Sequence, residues 1–328
     1  MTAPRQHPAV VNLVRRLTAL ELHAARSGRE VGQALAQVAA DSAASTAMGL
    51  LDELYAAADA LVTAMPAYAP PRNVLHRLLA AAERTAANST DVETLRGALE
   101  GEARRLAAQA QAAREQVART GAALIPENGL VVTWTLSETV RRTLAEAWRA
   151  GKRFRARVTE SRPNQDGLET AGELAALGVP VEVTIDAALQ FVTPRASLML
   201  LGAEAIEADG SVVCKVGTYP AALAARRHGV RVYVAADTLK FDTASMQGRR
   251  PPLDALRFQP GDRTAQAPAG GSTRPAGHLF DRTPAALLAG IVTERGVLAP
   301  QACADIMLAL PASDWLTRRV AAAFIQEA

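Results

Sequence analysis

The chain has 328 residues, 49% hydrophobic and 21% charged, enough apolar length for a large core and for two domains. Its 36 Lys and Arg against 33 Asp and Glu leave a formal charge of only +3, and no dense basic stretch with interleaved aromatics is present, so nucleic-acid binding has little support. No apolar run is long enough to span a membrane and no cleavable signal opens the sequence, so a soluble cytoplasmic protein is expected.

From about Val10 to Thr120 the sequence is Ala/Leu-rich with helical spacing. Gly49 to Val62 predicts one amphipathic helix and Glu93 to Val117 a long second one. Breaks are expected at Pro66 to Pro71 and at Asn88 to Asp91. The pattern changes at Ile125-Pro126-Glu127-Asn128-Gly129. Leu130 to Trp134 is a short apolar strand, and Ser137 is placed to cap the helix after it. Arg153 to Thr159 alternates as a strand. Asp166-Gly167-Leu168-Glu169 has capping-box spacing and opens a helix that Gly178 closes. Strands follow at Pro180 to Ile185, Ser197 to Leu201, Val230 to Ala235 and Ile291 to Thr293, with helices at Asp186, at Tyr219 to His228 and from Asp314 to Gln326. Gly248 to Gly277 is rich in Pro and Gly and predicts a long surface loop.

Strands alternating with short helices argue for an α/β fold with a doubly wound parallel sheet. The expected organisation is an N-terminal helical domain over residues 1–124 and a Rossmann-like α/β domain with the ligand pocket over residues 125–328. Ligands of such sheets sit at the carboxyl ends of the strands. At those ends stand Thr133-Trp134-Thr135, Glu160-Ser161-Arg162, Gly202-Ala203-Glu204, Cys214-Lys215-Val216-Gly217-Thr218 and Lys240-Phe241-Asp242. Lysine occurs only at Lys152, Lys215 and Lys240, so two of the three fall in these motifs. An ammonium is a compact charge suited to phosphate. Each piece also has a plain structural reading. Glu160 and Arg162 can be an ion pair at a strand end. Cys214 alone reads as a small buried apolar residue, although Lys215 beside it leaves a reactive thiol open. Gly217-Thr218 before a helix can bind an anion through free amides, or simply start the helix. Trp134 reads as core or as a pocket wall. Cys214 and Cys303 make neither a disulfide framework nor a metal cluster, so neither metal nor cofactor is expected.

This order of motifs resembles one family: the alpha, beta and delta subunits of translation initiation factor 2B, with ribose-1,5-bisphosphate isomerase and methylthioribose-1-phosphate isomerase. Phe280-Asp281-Arg282-Thr283-Pro284 and Val292-Thr293-Glu294-Arg295-Gly296 resemble its C-terminal signature. The resemblance implies a homodimer and a phosphorylated sugar or nucleotide as ligand. It also implies an acid/base pair for aldose-to-ketose isomerisation in the enzymes: a Cys in a Thr-His-Cys motif and an Asp in a Gly-Ala-Asp motif. Here those positions are Thr135, preceded by Trp134, and Glu204. Gly-Ala-Glu is similar to the alpha-subunit form. Cys214 stands where the family has Asn, while Lys215, Gly217 and Thr218 keep its pattern. Asp41 to Ala47, nearest to the isomerases' Arg-Gly-Ala phosphate motif, has no arginine; Arg162 keeps the isomerase form of its loop. A thiol ionises near pH 8.5, and an aliphatic hydroxyl far above that. The expectation is therefore a binding protein with degraded catalytic residues. Glu160, Arg162, Cys214, Lys215, Gly217, Thr218 and Lys240 would hold the ligand, and Glu204 a hydroxyl. The alternatives are an active isomerase working through Glu204, and a structural interaction subunit.

Overall fold

The computed structural model describes residues 6–64, 66–162, 164–256, 277–323 and 325–326. It divides into two compact units, one of Met1–Gln111, Leu239–Pro251 and Ile306–Ala328, the other of Ala112–Thr238 and Pro252–Asp305.

Five helices open the chain: α1 (Pro8–Thr18), α2 (Ala24–Asp41), α3 (Ala47–Ala64), α4 (Ala69–Asn88) and α5 (Val92–Leu124). Leu50, Leu54, Ala57, Ala58 and Leu61, spaced three or four residues apart along the helix except for the adjacent alanines, bury one stripe of α3. The break expected at Pro66 to Pro71 falls between Ala64 and Ala69, and Pro70 and Pro71 lie beyond it. They occupy the first turn of α4, where a missing N–H costs nothing. Buried Arg72 and Asn73 follow. Arg72 donates to the carbonyls of Pro66 and Tyr68, and its Nη2 lies 2.6 Å from Asp242 Oδ2. Asn73 Nδ2 donates to the carbonyls of Leu239 and Phe241, each at 2.7 Å. The boundary between the units falls inside α5.

Next come β1 (Gly129–Thr133), α6 (Glu138–Arg149), β2 (Phe154–Thr159), α7 (Asp166–Ala176), β3 (Val181–Thr184), α8 (Leu189–Val192) and β4 (Leu198–Leu201). They are followed by β5 (Ala205–Ile206), β6 (Val212–Lys215), α9 (Thr218–Arg227), β7 (Val232–Ala235), β8 (Arg249–Arg250), β9 (Phe280–Thr283), β10 (Gly290–Thr293), β11 (Gly296–Leu298), α10 (Cys303–Leu308), α11 (Asp314–Ala323) and β12 (Ile325–Gln326). Seven strands form the main sheet in the order β11-β10-β7-β4-β1-β2-β3. All its pairings are parallel except β10–β11. The doubly wound parallel sheet expected from the alternation of elements is present. Its central strands are buried along their whole length, as strands covered on both faces must be. Val131, Val158, Leu198, Leu200 and Val292 pack with Leu144 of α6 and Leu174 of α7. Strand order reverses between β1 and β4, which makes that point the switch of the sheet.

Three local expectations change. β6 does not join the parallel sheet; it is the middle of a three-stranded antiparallel sheet, β5-β6-β9. The capping box at Asp166 does not form: Asp166 is the first helical residue, and Gln165 precedes it in the left-handed region without a side-chain cap. The strand expected at Ile291 to Thr293 is followed by one that was not expected, because Glu294-Arg295 turns the chain back into β11. Most of the loop expected from Gly248 to Gly277, residues 257–276, lies outside the described residues.

Candidate functional site

The site grows from the carboxyl end of β1, beside the switch point. Thr135 turns the chain with φ +61°, and its carbonyl accepts a 3.1 Å hydrogen bond from Thr170 Oγ1 of α7. Trp134 and Thr135 are each only 3% exposed. The Trp134 ring packs on the backbone of Gly217. A Cβ on Gly217 would lie 2.1 Å from the indole Cζ2. Only glycine permits that approach, and its φ of +100° asks for glycine independently. At the end of β4, Gly202 closes on the cap of α6 in the same way, because a Cβ there would meet Ser137 Oγ at 2.5 Å. Ser137 caps α6 as expected, accepting from the Val140 amide. Glu204 follows, buried, with its amide donating to the Val213 carbonyl at 2.8 Å. That bond ties the end of β4 to β6.

β6 delivers Cys214 and Lys215, both buried. Lys215 Nζ lies 3.3 Å from Asp166 Oδ2, with side-chain exposures of 7% and 12%, and stands over the Phe280 ring at 5.9 Å. The carboxylate that was expected to cap α7 therefore pairs with this ammonium. Thr218 Oγ1 donates to the Lys215 carbonyl at 2.7 Å and tightens the turn into α9. The amides at that turn, expected to be open to an anion, are taken by Asp281. Its Oδ2 accepts from Gly217 N at 2.7 Å and Tyr219 N at 3.0 Å. Asp281 sits opposite Cys214 in the β6–β9 register.

Burial governs the titration here. It pushes the Cys214 thiol up to about 12, and the charges of Glu204 and Asp281 push the same way against a Thr218 hydrogen bond. The reactive thiol that the sequence left open is therefore a protonated, buried one. Burial also raises Asp281 to about 6, although the amides of Tyr219, Gly217 and Thr218 favour its charge.

The end of β2 is organised by a residue with no role in the sequence-level site. Asp186 accepts from Ser161 N at 2.8 Å and Arg162 N at 2.7 Å, holding the turn that carries Glu160 and exposed Arg162. Gly167 presses on this turn so closely that a Cβ would meet the Thr159 carbonyl oxygen at 1.7 Å. Lys240 is placed in the first unit, buried beside the segment that Arg72 and Asn73 hold. The cluster in the second unit thus joins Thr135, Glu204, Cys214, Lys215, Gly217 and Thr218. Asp166 and Asp281 belong to it and were missed. Asp281 was legible only as part of a C-terminal signature, and Asp166 only as a capping residue. Among the described residues no group of three His, Cys, Asp or Glu is arranged to hold a metal ion, and no helix is long and apolar enough to cross a membrane.

A family profile described as Initiation factor 2 subunit family matches residues 23–300. The chain is 31% identical over 307 residues to a Haloferax volcanii protein named ribose 1,5-bisphosphate isomerase, covering 92% of this chain and 93% of that one. It is 33% identical over 282 residues to a Chloroflexus aurantiacus protein named methylthioribose-1-phosphate isomerase, covering 81% and 80%. The crystal structure of the Pyrococcus horikoshii translation initiation factor eIF-2B superposes with a TM-score of 0.72 at 27% identity, over 90% of this chain and 98% of that one. With a profile spanning most of the sequence and relatives matched over most of their length, the chain belongs to the Initiation factor 2 subunit family.

Proposed function

We propose that the chain binds a phosphorylated sugar or nucleotide at the strand ends of its second unit and does not isomerise it. One observation carries the reading. The indole Nε1 of Trp134 and the hydroxyls of Thr135 and Thr159, all buried at the ends of β1 and β2, have no hydrogen-bond partner among the described residues. Buried polar groups in folded proteins are nearly always satisfied, so a run of orphaned ones calls for a polar guest. Lys215 and Arg162 supply positive charge for a phosphate, and Glu204 an acceptor for a hydroxyl. The ligand class follows the isomerase names of the relatives.

Catalysis is disfavoured by chemistry at one position. An acid/base must ionise near working pH. Thr135 has no such group, Trp134 replaces a titratable ring, and burial keeps the Cys214 thiol protonated. Titration calorimetry with ribose 1,5-bisphosphate, methylthioribose 1-phosphate and a nucleoside monophosphate, beside a product assay, tests the reading. Binding without turnover is expected, with trace activity rising in Thr135→Cys or Thr135→Cys/Trp134→His. No heat from any of them at millimolar concentration refutes it. The isomerase names favour a second reading, an enzyme using Glu204; turnover abolished by Glu204→Gln would establish that one instead. A homodimer goes with either, and light scattering should give twice the 34.5 kDa chain mass.

A further inference from the structure

The carboxylate of Asp281 is half engaged. Its Oδ2 is fixed by two backbone amides, Gly217 N at 2.7 Å and Tyr219 N at 3.0 Å, at the start of a helix of ten residues. Its Oδ1 is buried and accepts no hydrogen bond among the described residues. A carboxylate has about four acceptor positions, and leaving a whole oxygen dry is costly. The same corner holds a second orphan. Trp134, 3% exposed, lies against Gly217, and its Nε1 also lacks a partner. The built Cβ of Gly217 falls 2.9 Å from indole Cε2, the atom bonded to Nε1, so the unsatisfied N–H is at the α9 end of the ring. An unpaired acceptor and an unpaired donor thus both stand beside Gly217, at one helix start. Cys214, opposite Asp281 in the sheet, feels the charges of both Asp281 and Glu204, so these two carboxylates flank one spot.

We propose that Asp281 is a ligand-binding residue of this site, with Oδ1 accepting a hydrogen bond from a sugar hydroxyl while Oδ2 remains the cap of α9. The proposal rests on the function proposed above and deepens it by naming the group that reads the sugar. Charge sets what this corner takes. Glu204 and Asp281 both bear on the uncharged Cys214, on the face of β6 opposite to Lys215, whose ammonium pairs with Asp166. The negative charge of Glu204 and Asp281 suits hydroxyl donors and repels a phosphate. The amides that would otherwise hold an anion are already occupied by Asp281. The phosphate is therefore held away from the α9 start, and the α9 corner discriminates hydroxyls. Trp134 Nε1 donates to the oxygen of the same or the neighbouring hydroxyl. Burial raises Asp281 to about 6, which fits an acceptor poorly satisfied without its guest.

Asp281→Asn separates the two roles. The amide oxygen can keep the α9 cap, while the NH₂ group turns the free acceptor into a donor. Asp281→Ala, which loses the cap as well, serves as the folding control. The measurement is calorimetric affinity for ribose 5-phosphate, its 2-deoxy and 3-deoxy analogues, and inorganic phosphate. A site built to pair a hydroxyl rejects the analogue that lacks it. Wild type should lose about tenfold or more in affinity for one deoxy sugar phosphate, as befits a charge-assisted hydrogen bond. Asp281→Asn should bind ribose 5-phosphate as weakly as wild type binds that analogue, and lose the discrimination. Affinity for inorganic phosphate should be unchanged. If Asp281→Asn keeps the wild-type ratios among the sugars, or weakens every ligand equally including inorganic phosphate, Asp281 does not read a hydroxyl and the inference fails alone. If wild type binds no sugar phosphate at all, the proposed function fails and the inference with it.

Discussion

Gly217→Ala is the sharpest test of how the site is built. The new Cβ would lie 2.1, 2.8 and 2.9 Å from Cζ2, Cη2 and Cε2 of Trp134, a ring that is 3% exposed. Residue 217 would also be an L-residue at φ +100°. Forcing a Cβ into left-handed backbone costs about 1–2 kcal/mol, and overpacking a closed core adds about 1–3 kcal/mol. The sum is roughly 2–5 kcal/mol. At ~2–4 °C per kcal/mol, that lowers Tm by about 10 °C, within a range of roughly 4–20 °C. Scanning calorimetry reads it directly. A double-mutant cycle identifies the cause. Trp134→Ala alone should cost about 3–5 kcal/mol through the cavity it leaves, and in its background Gly217→Ala should cost only the backbone share. The double mutant should therefore be about 1–3 kcal/mol more stable than the sum of the singles. A Tm for Gly217→Ala within a degree of wild type, or strict additivity, would show that the ring does not press on the α9 turn.

Three further expectations concern charge and burial. With both thiols pushed to about 12 by burial, neither Cys214 nor Cys303 should react with a disulfide reagent at pH 8 until the chain is unfolded; rapid labelling of Cys214 in the native protein would reverse that assignment. His76 is pushed down to about 4 by burial and then by Arg72, so its neutral form is the native one and its Nδ1 accepts from Ser313 N. The folded value lies below the unfolded 6.5, so full stability holds above pH 6.5 and is lost by up to about 3 kcal/mol as pH falls toward 4. Urea titrations should show that slope in wild type and a flatter one in His76→Gln. Lys215→Ala should weaken phosphorylated-pentose binding about tenfold and destabilise the fold by stranding half-buried Asp166. Adding Asp166→Asn should restore stability without restoring affinity, and unchanged affinity in Lys215→Ala would remove the residue from the ligand site.

The sequence by itself determined the class of fold, because that signal is local. Short apolar runs alternating with helical periods specify strand, helix and parallel winding without reference to distant partners, and the main sheet from β3 to β10 has that form. Ser137 could be read as the cap of α6 for the same reason: its partner is Val140, three residues on. Only the tertiary structure decided partners far apart in the chain. β6 looks like any buried strand, and its pairing with β5 and β9 rather than with the parallel sheet depends on a segment more than sixty residues later. Asp281 caps α9 across 64 residues of sequence. Asp166 has the spacing of a capping box and gives its carboxylate to Lys215 instead, because a buried ammonium needs a counter-charge more than an exposed helix start needs a cap. Periodicity encodes which face of an element is buried. It does not encode which side chain from elsewhere will meet that face, so the strand-end motifs were legible one by one, while the carboxylates that set their chemistry became visible only in three dimensions.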